Sequence, residues 1–209
     1  MNCLCLPILI FIIIYLLRYI IKIRETFISG NPSKYEYEFL NREAGFKILS
    51  NPNYFNHFNS YDYKLRGCNS NNVLEIYRKN IKNFDIKEKK VLVWLLNILI
   101  PKLRKCIKNF PYKRWRFIKV INLESNLPHT RDDCIVLPHW FMKKLLSYKK
   151  DKDIESALED CGLTLIHEQT HIYQRLNRSI LNNIYKNYRN FENPNKINNL
   201  NLLDRNLDV

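Results

Sequence analysis

Residues 162 to 175 read Gly162-Leu-Thr-Leu-Ile-His-Glu-Gln-Thr-His-Ile-Tyr-Gln-Arg175 and contain the string His-Glu-Gln-Thr-His at positions 167 to 171. The apolar residues of this stretch recur at helical spacing, which predicts a helix. On a helix, positions i and i+4 lie one turn apart on the same face. His167 and His171 can therefore place two imidazole nitrogens on one zinc ion, at about 2.0 to 2.1 Å each. Glu168 then lies beside the metal and is free to act as a base.

The spacing of these three residues suits hydrolytic chemistry. A catalytic zinc has three protein ligands and one open position for water, and it lowers the pKa of that water from 15.7 to about 7. A carboxylate next to the first ligand in sequence stays near the metal without binding it, which suits general acid/base work by Glu168. The alternative is a helix that carries two unrelated histidines.

The sequence around the string predicts how the helix is built. Asp153 or Ser156 can cap its start, the latter in a capping box with Glu159. Gln174 and Asp160 lie on the cleft side, where they could orient the histidine rings. The simpler interpretation is that they are ordinary polar residues at the edge of a cleft. The predicted apolar stripe, which packs on a core, consists of Leu158, Leu165, Ile166, Ile172, Tyr173 and Leu176.

The chain opens with an apolar run from Leu4 to Ile21 that contains one charge, Arg18. This length is close to what a membrane-spanning helix needs once the arginine reaches the interface. A cleaved signal peptide is the rival interpretation, but the positive charge before the run and the small residues after it are missing. We therefore expect a transmembrane anchor over residues 1–24, a linker over 25–34 and one catalytic domain over 35–209.

Charge predicts the orientation of this anchor. Only the α-amino group precedes the apolar run, whereas Arg18, Lys22, Arg24 and Lys34 follow it closely. The positive-inside rule then places the C-terminal domain in the cytosol. The cysteines are scattered without pairing spacing, which agrees with a reducing compartment. The expected location is a single-pass membrane protein whose catalytic domain faces the cytosol.

The whole chain is strongly basic, with a formal net charge of +14 and a pI near 9.5. Its lysines and arginines are spread along the sequence, so a diffuse attraction to anionic lipid or nucleic acid is physically reasonable, beside the simpler interpretation of a solvated basic surface. Zinc-finger spacing, a glycine-rich phosphate loop and an RNA-binding aromatic signature are absent from the sequence. We do not expect nucleic acid to be the partner.

The rest of the chain predicts an α+β domain that is mostly helical, with a small sheet next to the motif helix. Pro101 is expected to bend or divide one long helix, and a turn is expected at residues 130–133. An edge strand just upstream of the motif helix can pair with an extended peptide. The predicted elements are helices over 35–49, 73–84, 86–107 and 140–148, an irregular loop over 51–72, and strands over 115–122 and 134–137.

The sequence resembles the zincin metallopeptidases. The resemblance covers the motif at 167–171 and its apolar flanks. A looser resemblance extends over 127–130, 135–138 and 172–175, and is similar to uncharacterised metallopeptidase-like proteins of large DNA viruses. The resemblance implies a zincin-like domain with Zn²⁺ on His167 and His171, Glu168 as the catalytic carboxylate, and a peptide or protein substrate.

The third zinc ligand is left open between two carboxylates. The glycine and third histidine of the metzincins are missing, since Gln174 stands in place of the glycine and no histidine follows His171. Glu192 fits the gluzincin pattern, in which a returning helix supplies a glutamate. Asp208 instead resembles an Asn-Pro-Asp element of the viral group, although Leu207 replaces the proline. Asp204 is a further candidate.

A donor to the oxyanion of the transition state is the last expected part of the site. His129 is the first candidate and Tyr173 an alternative, although His129 in a structural role is the simpler interpretation. The expected protein is thus a membrane-anchored zinc metallopeptidase. The alternatives are a catalytically degenerate zincin-fold binding or scaffold protein at a membrane, and a membrane-tethered binder of nucleic acid. The sequence does not indicate an oligomeric state.

Overall fold

The computed structural model describes residues 35–56, 58–106 and 114–179. The predicted anchor (1–24), the predicted linker (25–34) and all residues from 180 onward, including Glu192, Asp204 and Asp208, lie outside the described residues. No helix within the described ranges is long and apolar enough to cross a membrane. The elements are β1 (Glu36–Phe39), α1 (Arg42–Leu49), α2 (Pro52–Phe55), α3 (Ser60–Leu65), α4 (Val73–Asn80), β2 (Ile81–Lys82), α5 (Ile86–Cys106), β3 (Arg114–Val120), β4 (His129–Arg131), β5 (Cys134–Pro138), α6 (His139–Asp151), α7 (Ile154–Ser156) and α8 (Leu163–Leu176).

The described strands form one small mixed sheet with β3 at its centre. Its order is β1-β3-β5-β4, and β2 pairs with the end of β3 on the same side as β1. Strands β1, β3 and β5 are parallel, whereas β2 and β4 are antiparallel to their neighbours. The predicted α+β class with a small sheet beside the motif helix is confirmed, because α8 packs against β4 and β5.

Helices cover both faces of the sheet, so that each strand carries apolar residues on both sides. Trp115 and Phe117 of β3 face a first core, which α5, α6 and α8 complete. Ile118 and Val120 face a second core, which α1 and α4 complete. Strand β5 is accordingly a continuous apolar run, as is usual for strands buried on two faces, whereas β3 carries Arg114, Arg116 and Lys119 among its apolar residues.

Helix α5 is the central helix of the first core. Its start is fixed by Asp85 and Glu88, each of which accepts a hydrogen bond at 2.8 Å from the backbone N–H of the other. The helix continues through Pro101 as one element, so of the two expected effects of this proline, division of the helix does not occur. The helix buries seven apolar side chains, namely Val91, Leu92, Leu95, Leu96, Leu99, Ile100 and Leu103.

Three of the predicted elements differ from the structure. The helix predicted over 35–49 begins as strand β1, and the helix itself starts only after Asn41, whose side chain accepts from the Ala44 N–H at 2.9 Å. The predicted loop over 51–72 contains α2 and α3, which Asn51 and Asn59 cap. The helix predicted over 73–84 ends at Asn80, because the next two residues pair with β3. In the first and third regions a strand partner replaces part of the predicted helix, and in the second region asparagine caps start helices where a loop was expected.

Candidate metal centre

The motif helix is the last part of a longer helical segment that starts at Ile154. The Asp153 side chain caps it by accepting from the Ser156 N–H at 3.0 Å, whereas the Ser156 side chain makes no capping bond. Residues Ala157–Gly162 form a π-type stretch between α7 and α8. Such stretches are rare and occur frequently next to functional sites.

The predicted apolar stripe is confirmed along most of its length. Leu158, Leu165, Ile166 and Ile172 are buried in the first core. Leu176 is 68% exposed, so its assignment to the stripe is wrong. It is the last residue of α8, where the helix has passed beyond the core. The stripe therefore fixes which side of α8 is turned away from the core.

The two motif histidines converge on one point. The Nε2 atoms of His167 and His171 lie 2.9 Å apart, and the two rings are nearly perpendicular, with centroids 4.5 Å apart. A zinc ion bound tetrahedrally by both nitrogens would hold them about 3.3 Å apart. A shift of a few tenths of an ångström in either side chain thus gives the separation that the metal needs. His171 is buried and His167 is half-buried.

The hydrogen bonding of His171 and the pKa of His167 suit metal binding. The Nδ1–H of His171 donates to the Gln174 side-chain oxygen at 3.1 Å, which makes Nε2 the acceptor nitrogen of the ring. Burial lowers the pKa of His167, so its ring is neutral at pH 7. The contact that the sequence predicts for Gln174 is thus present. These two histidines fit zinc as ligands, because zinc requires neutral imidazole nitrogens.

Glu168 lies on α8, the helix that packs against the edge strand β4. The side chain of Glu168 is buried, and the residue is 5% exposed. Two turns further along the same side of the helix, Arg175 donates through Nη2 to the backbone oxygen of Asp132 at 2.9 Å. Gln169 donates to the backbone oxygen of Arg114 at 3.2 Å. These two bonds fix α8 against the ends of β3 and β4.

The structure corrects two expected roles. His129 pairs with Val136, so its side chain points to the second core and not to α8, and its Nδ1 lies 3.0 Å from the Leu127 carbonyl oxygen. It is therefore structural and not a donor at the metal centre. Asp160 does not orient a histidine either. The Lys144 ammonium at 2.6 Å and the Tyr148 hydroxyl bind its carboxylate and hold its pKa below the usual value.

A third protein ligand is not found within the described part of the chain. No group of three or more His, Cys, Asp or Glu residues there has the geometry of a metal site. Both expected carboxylates, Glu192 and Asp208, lie outside the described residues. The described centre therefore consists of His167, His171, Glu168 and the orienting Gln174.

A buried ionic cluster behind β4 is the main feature that the sequence did not predict. Glu124 accepts hydrogen bonds from Arg66 at 2.8 Å, from Arg131 at 3.1 Å and from the Tyr77 hydroxyl. Burial opposes its ionisation, but the neighbouring Arg131, His129 and Arg66 outweigh this and lower its pKa. The signal in the sequence is that Glu124 is the single carboxylate between residues 88 and 132, a stretch rich in lysine and arginine.

The cluster also holds an unusual turn just before β4. Residues Glu124, Ser125 and Asn126 have φ angles of 50°, 57° and 57°, which make a short left-handed turn. Residues with side chains rarely adopt this conformation consecutively, because it brings Cβ close to the following carbonyl oxygen. The bonds made by Glu124 are therefore what keeps the turn in place.

The chain was compared with protein-family models, with curated proteins and with solved structures, and no match was found in any of the three comparisons.

Proposed function

We propose that the protein is a zinc-dependent metallopeptidase that hydrolyses peptide bonds. The observation that carries this proposal is the convergence of the His167 and His171 Nε2 atoms at 2.9 Å, with Glu168 buried on the neighbouring side of the same helix. A pair of histidines one helical turn apart, followed by a carboxylate next to the first of them, is the arrangement that hydrolytic zinc sites use. The proposed fold of the domain is zincin-like.

The two histidines would hold the metal together with a carboxylate, Glu192 or Asp208. Gln174 supports them by fixing the ring of His171 so that Nε2 and not Nδ1 is offered to the metal. When bound, zinc acidifies a water molecule and polarises the carbonyl group of the substrate. The lowered pKa of His167 keeps its ring neutral at pH 7, which favours this binding.

Glu168 is proposed as the general acid/base. Its carboxylate accepts the proton of the attacking water and returns it to the amine nitrogen that leaves. Its burial beside the apolar core keeps it in a water-poor environment, where a positioned carboxylate acts without competition from solvent. It is adjacent to His167 in sequence, so it is held near the metal without being a ligand.

The proposed substrate is an extended peptide segment. Strand β4 lies at the edge of the described sheet and packs against α8, the helix that carries the motif. A peptide that adds to such an edge has its backbone fixed by hydrogen bonds and can present one carbonyl group to the metal. We further propose that the N-terminal run anchors the protein in a membrane as a single-pass protein, with the catalytic domain in the cytosol.

The test is hydrolysis of a quenched fluorescent peptide library by the purified full-length chain. We expect cleavage that a chelator abolishes and added zinc restores, and we expect Glu168→Gln to keep zinc but lose cleavage.

A second candidate is a binding or scaffold protein of the same fold at a membrane, in agreement with the two-histidine centre of the described residues. That candidate predicts bound peptide without cleavage in the unmodified chain. Cleavage that survives complete removal of metal would contradict both the metallopeptidase and the binding or scaffold protein.

A further inference from the structure

Three large apolar side chains are exposed at one end of the domain. Ile86, at the start of α5, is 71% exposed, Leu127, just before β4, is 59% exposed, and Trp140, in the first turn of α6, is 39% exposed. We call them the apolar end surface. Single exposed apolar side chains are ordinary on globular proteins, but a group of three at one place indicates an interaction site.

Two contacts bring the three residues to the same end. The Trp140 indole N–H donates to the backbone oxygen of Asn126, the residue before Leu127, at 2.6 Å. His139, the residue before Trp140, lies 3.9 Å from the carboxylate of Glu88, in the first turn of α5 that also carries Ile86. The starts of α5 and α6 and the approach to β4 therefore meet.

Each of these positions is held rigidly. The reciprocal bonds between Asp85 and Glu88 fix the first turn of α5. The left-handed turn that precedes Leu127 is held by the buried bonds of Glu124 to Arg66 and Arg131. A backbone conformation that is unfavourable by itself persists only where its surroundings impose it, and this is frequent at binding sites. The backbone that carries the exposed side chains is therefore already fixed before a partner binds.

The charges around the apolar end surface are mainly positive. Lys87, Lys89 and Lys90 lie exposed in the first turns of α5, and Lys143 is exposed one turn after Trp140. Lys144 is also exposed but pairs with Asp160. The acidic groups at this end are largely engaged within the fold: Glu88 is buried against Lys119 at 2.5 Å, Glu124 is buried among arginines, and the exposed Asp85 accepts from the Glu88 N–H.

We propose that this end of the domain docks onto an anionic phospholipid membrane. Trp140, Leu127 and Ile86 enter the boundary between headgroups and acyl chains, and the lysines contact the lipid phosphates. Exposed apolar side chains with lysines beside them match the interface of a membrane in both hydrophobicity and charge. All three side chains are exposed at the surface, whereas a site for a peptide side chain would shelter its apolar residues in a pocket.

The length of the preceding chain permits this docking together with the predicted anchor. Tyr35, where the described residues begin, lies near the end of α5, because Arg104 donates to its hydroxyl at 3.2 Å. Docking at the start of α5 places Tyr35 about 31 Å from the membrane, the length of this 21-residue helix. The linker of 10 residues reaches about 33 to 36 Å when extended. The proposal itself uses only the described residues and does not depend on the proposed peptidase activity.

The experiment is tryptophan quenching by bromine on lipid acyl chains, with the full-length chain in phosphatidylcholine vesicles with and without phosphatidylserine. We expect strong quenching in the anionic vesicles that Trp140→Phe removes, because Trp115 is fully buried and Trp94 lies beneath Lys149. Lys87→Glu and Lys143→Glu should each lower the ratio of docked to undocked protein about fivefold or more, the effect of one charge near such a surface.

The matched controls lie on α4, which covers the opposite face of the sheet. Lys79→Glu changes another exposed lysine, as a control for Lys87 and Lys143. Leu74→Ser changes another exposed leucine, as a control for Leu127. Neither substitution should change the quenching. If Lys79→Glu and Lys143→Glu lowered the ratio of docked to undocked protein equally, the binding would depend only on the net charge of the domain, and the proposal would be overturned. Quenching that persists in Trp140→Phe would overturn it as well. A shift of Trp140 emission by an acidic apolar peptide, with no response to lipid, would assign the surface to a peptide instead.

Discussion

The amide oxygen of Gln174 accepts a hydrogen bond from Nδ1 of His171 at 3.1 Å, and it thereby directs the Nε2 lone pair of His171 towards His167. Three residues along a helix are enough for this contact, because they lie on the same side within one turn. The tautomer that a metal needs is therefore built into α8 itself.

Gln174→Ala should weaken zinc binding without unfolding the domain. Loss of the partner that orients a ligating histidine costs about 10- to 100-fold in metal affinity. Competition with a fluorescent zinc chelator measures the affinity. Leu176→Ser, at an exposed position two residues further on, serves as the control and should leave the affinity unchanged. Equal zinc affinities of Gln174→Ala and the unmodified chain would show that His171 does not depend on this bond.

Zinc should stabilise the folded chain through the two histidines. A ligand that binds only the folded state adds about 4 kcal/mol to the free energy of unfolding at a thousandfold excess over its Kd. Thermal unfolding should therefore shift upward with added zinc in the unmodified chain and stay constant in His167→Ala and in His171→Ala. A zinc-dependent shift that survives in both variants would place the metal elsewhere.

Glu124→Gln should strongly destabilise the fold. The substitution removes the carboxylate that pairs with the half-buried Arg66 and the buried Arg131, and breaking such a pair costs about 3 to 5 kcal/mol. Denaturant unfolding at neutral pH measures the loss. Glu75→Gln, which neutralises an exposed glutamate of α4, should change the free energy of unfolding by less than about 0.5 kcal/mol.

The same residue predicts a pH dependence. The pKa of Glu124 is below its ordinary value of 4.5 in the folded state, so its ionised form stabilises the fold above that pH. This contribution should disappear as the pH falls through the lowered pKa of the folded state. The difference in stability between the unmodified chain and Glu124→Gln should therefore shrink in acid. A constant difference from pH 7 down to pH 3 would exclude Glu124 as the source.

Two glycines predict opposite effects of alanine. A Cβ on Gly45 would lie 3.1 Å from a methyl group of Ile118 and 3.3 Å from one of Ile81, so Gly45→Ala should cost about 1 to 3 kcal/mol through overpacking. A Cβ on Gly162 would make ordinary contacts at 3.5 Å or more, so Gly162→Ala should add about 0.5 to 1 kcal/mol through helix propensity. Denaturant unfolding of both variants gives the signs, and equal signs would contradict this packing.

The features that the sequence predicted are those that depend on neighbours within one helix. The helical motif, the contact between His171 and Gln174, and the buried core helix α5 belong to this class. The direction of His129 could not be predicted, because it depends on the register between β4 and β5. Asp160 has the spacing of a histidine partner, but a lysine and a tyrosine of α6 bind it instead.

The cluster around Glu124 is the clearest limit of prediction from the sequence. Its four bonding partners come from the end of α3, from α2, α4 and β4, and no spacing along the chain brings them together. A lone carboxylate in a basic stretch is a signal that Glu124 is paired, but it does not identify the cations. Only the packing of these elements on the second core determines that.

Zinc K-edge X-ray absorption on the full-length chain, purified with one equivalent of metal, tests most directly whether His167 and His171 bind zinc. We expect two imidazole nitrogens among the ligands at about 2.0 to 2.1 Å, together with oxygen donors. We also expect that one nitrogen is lost in His167→Ala and one in His171→Ala. A chain that retains no zinc, or a spectrum of sulfur ligands that neither variant changes, would contradict zinc binding by these two histidines.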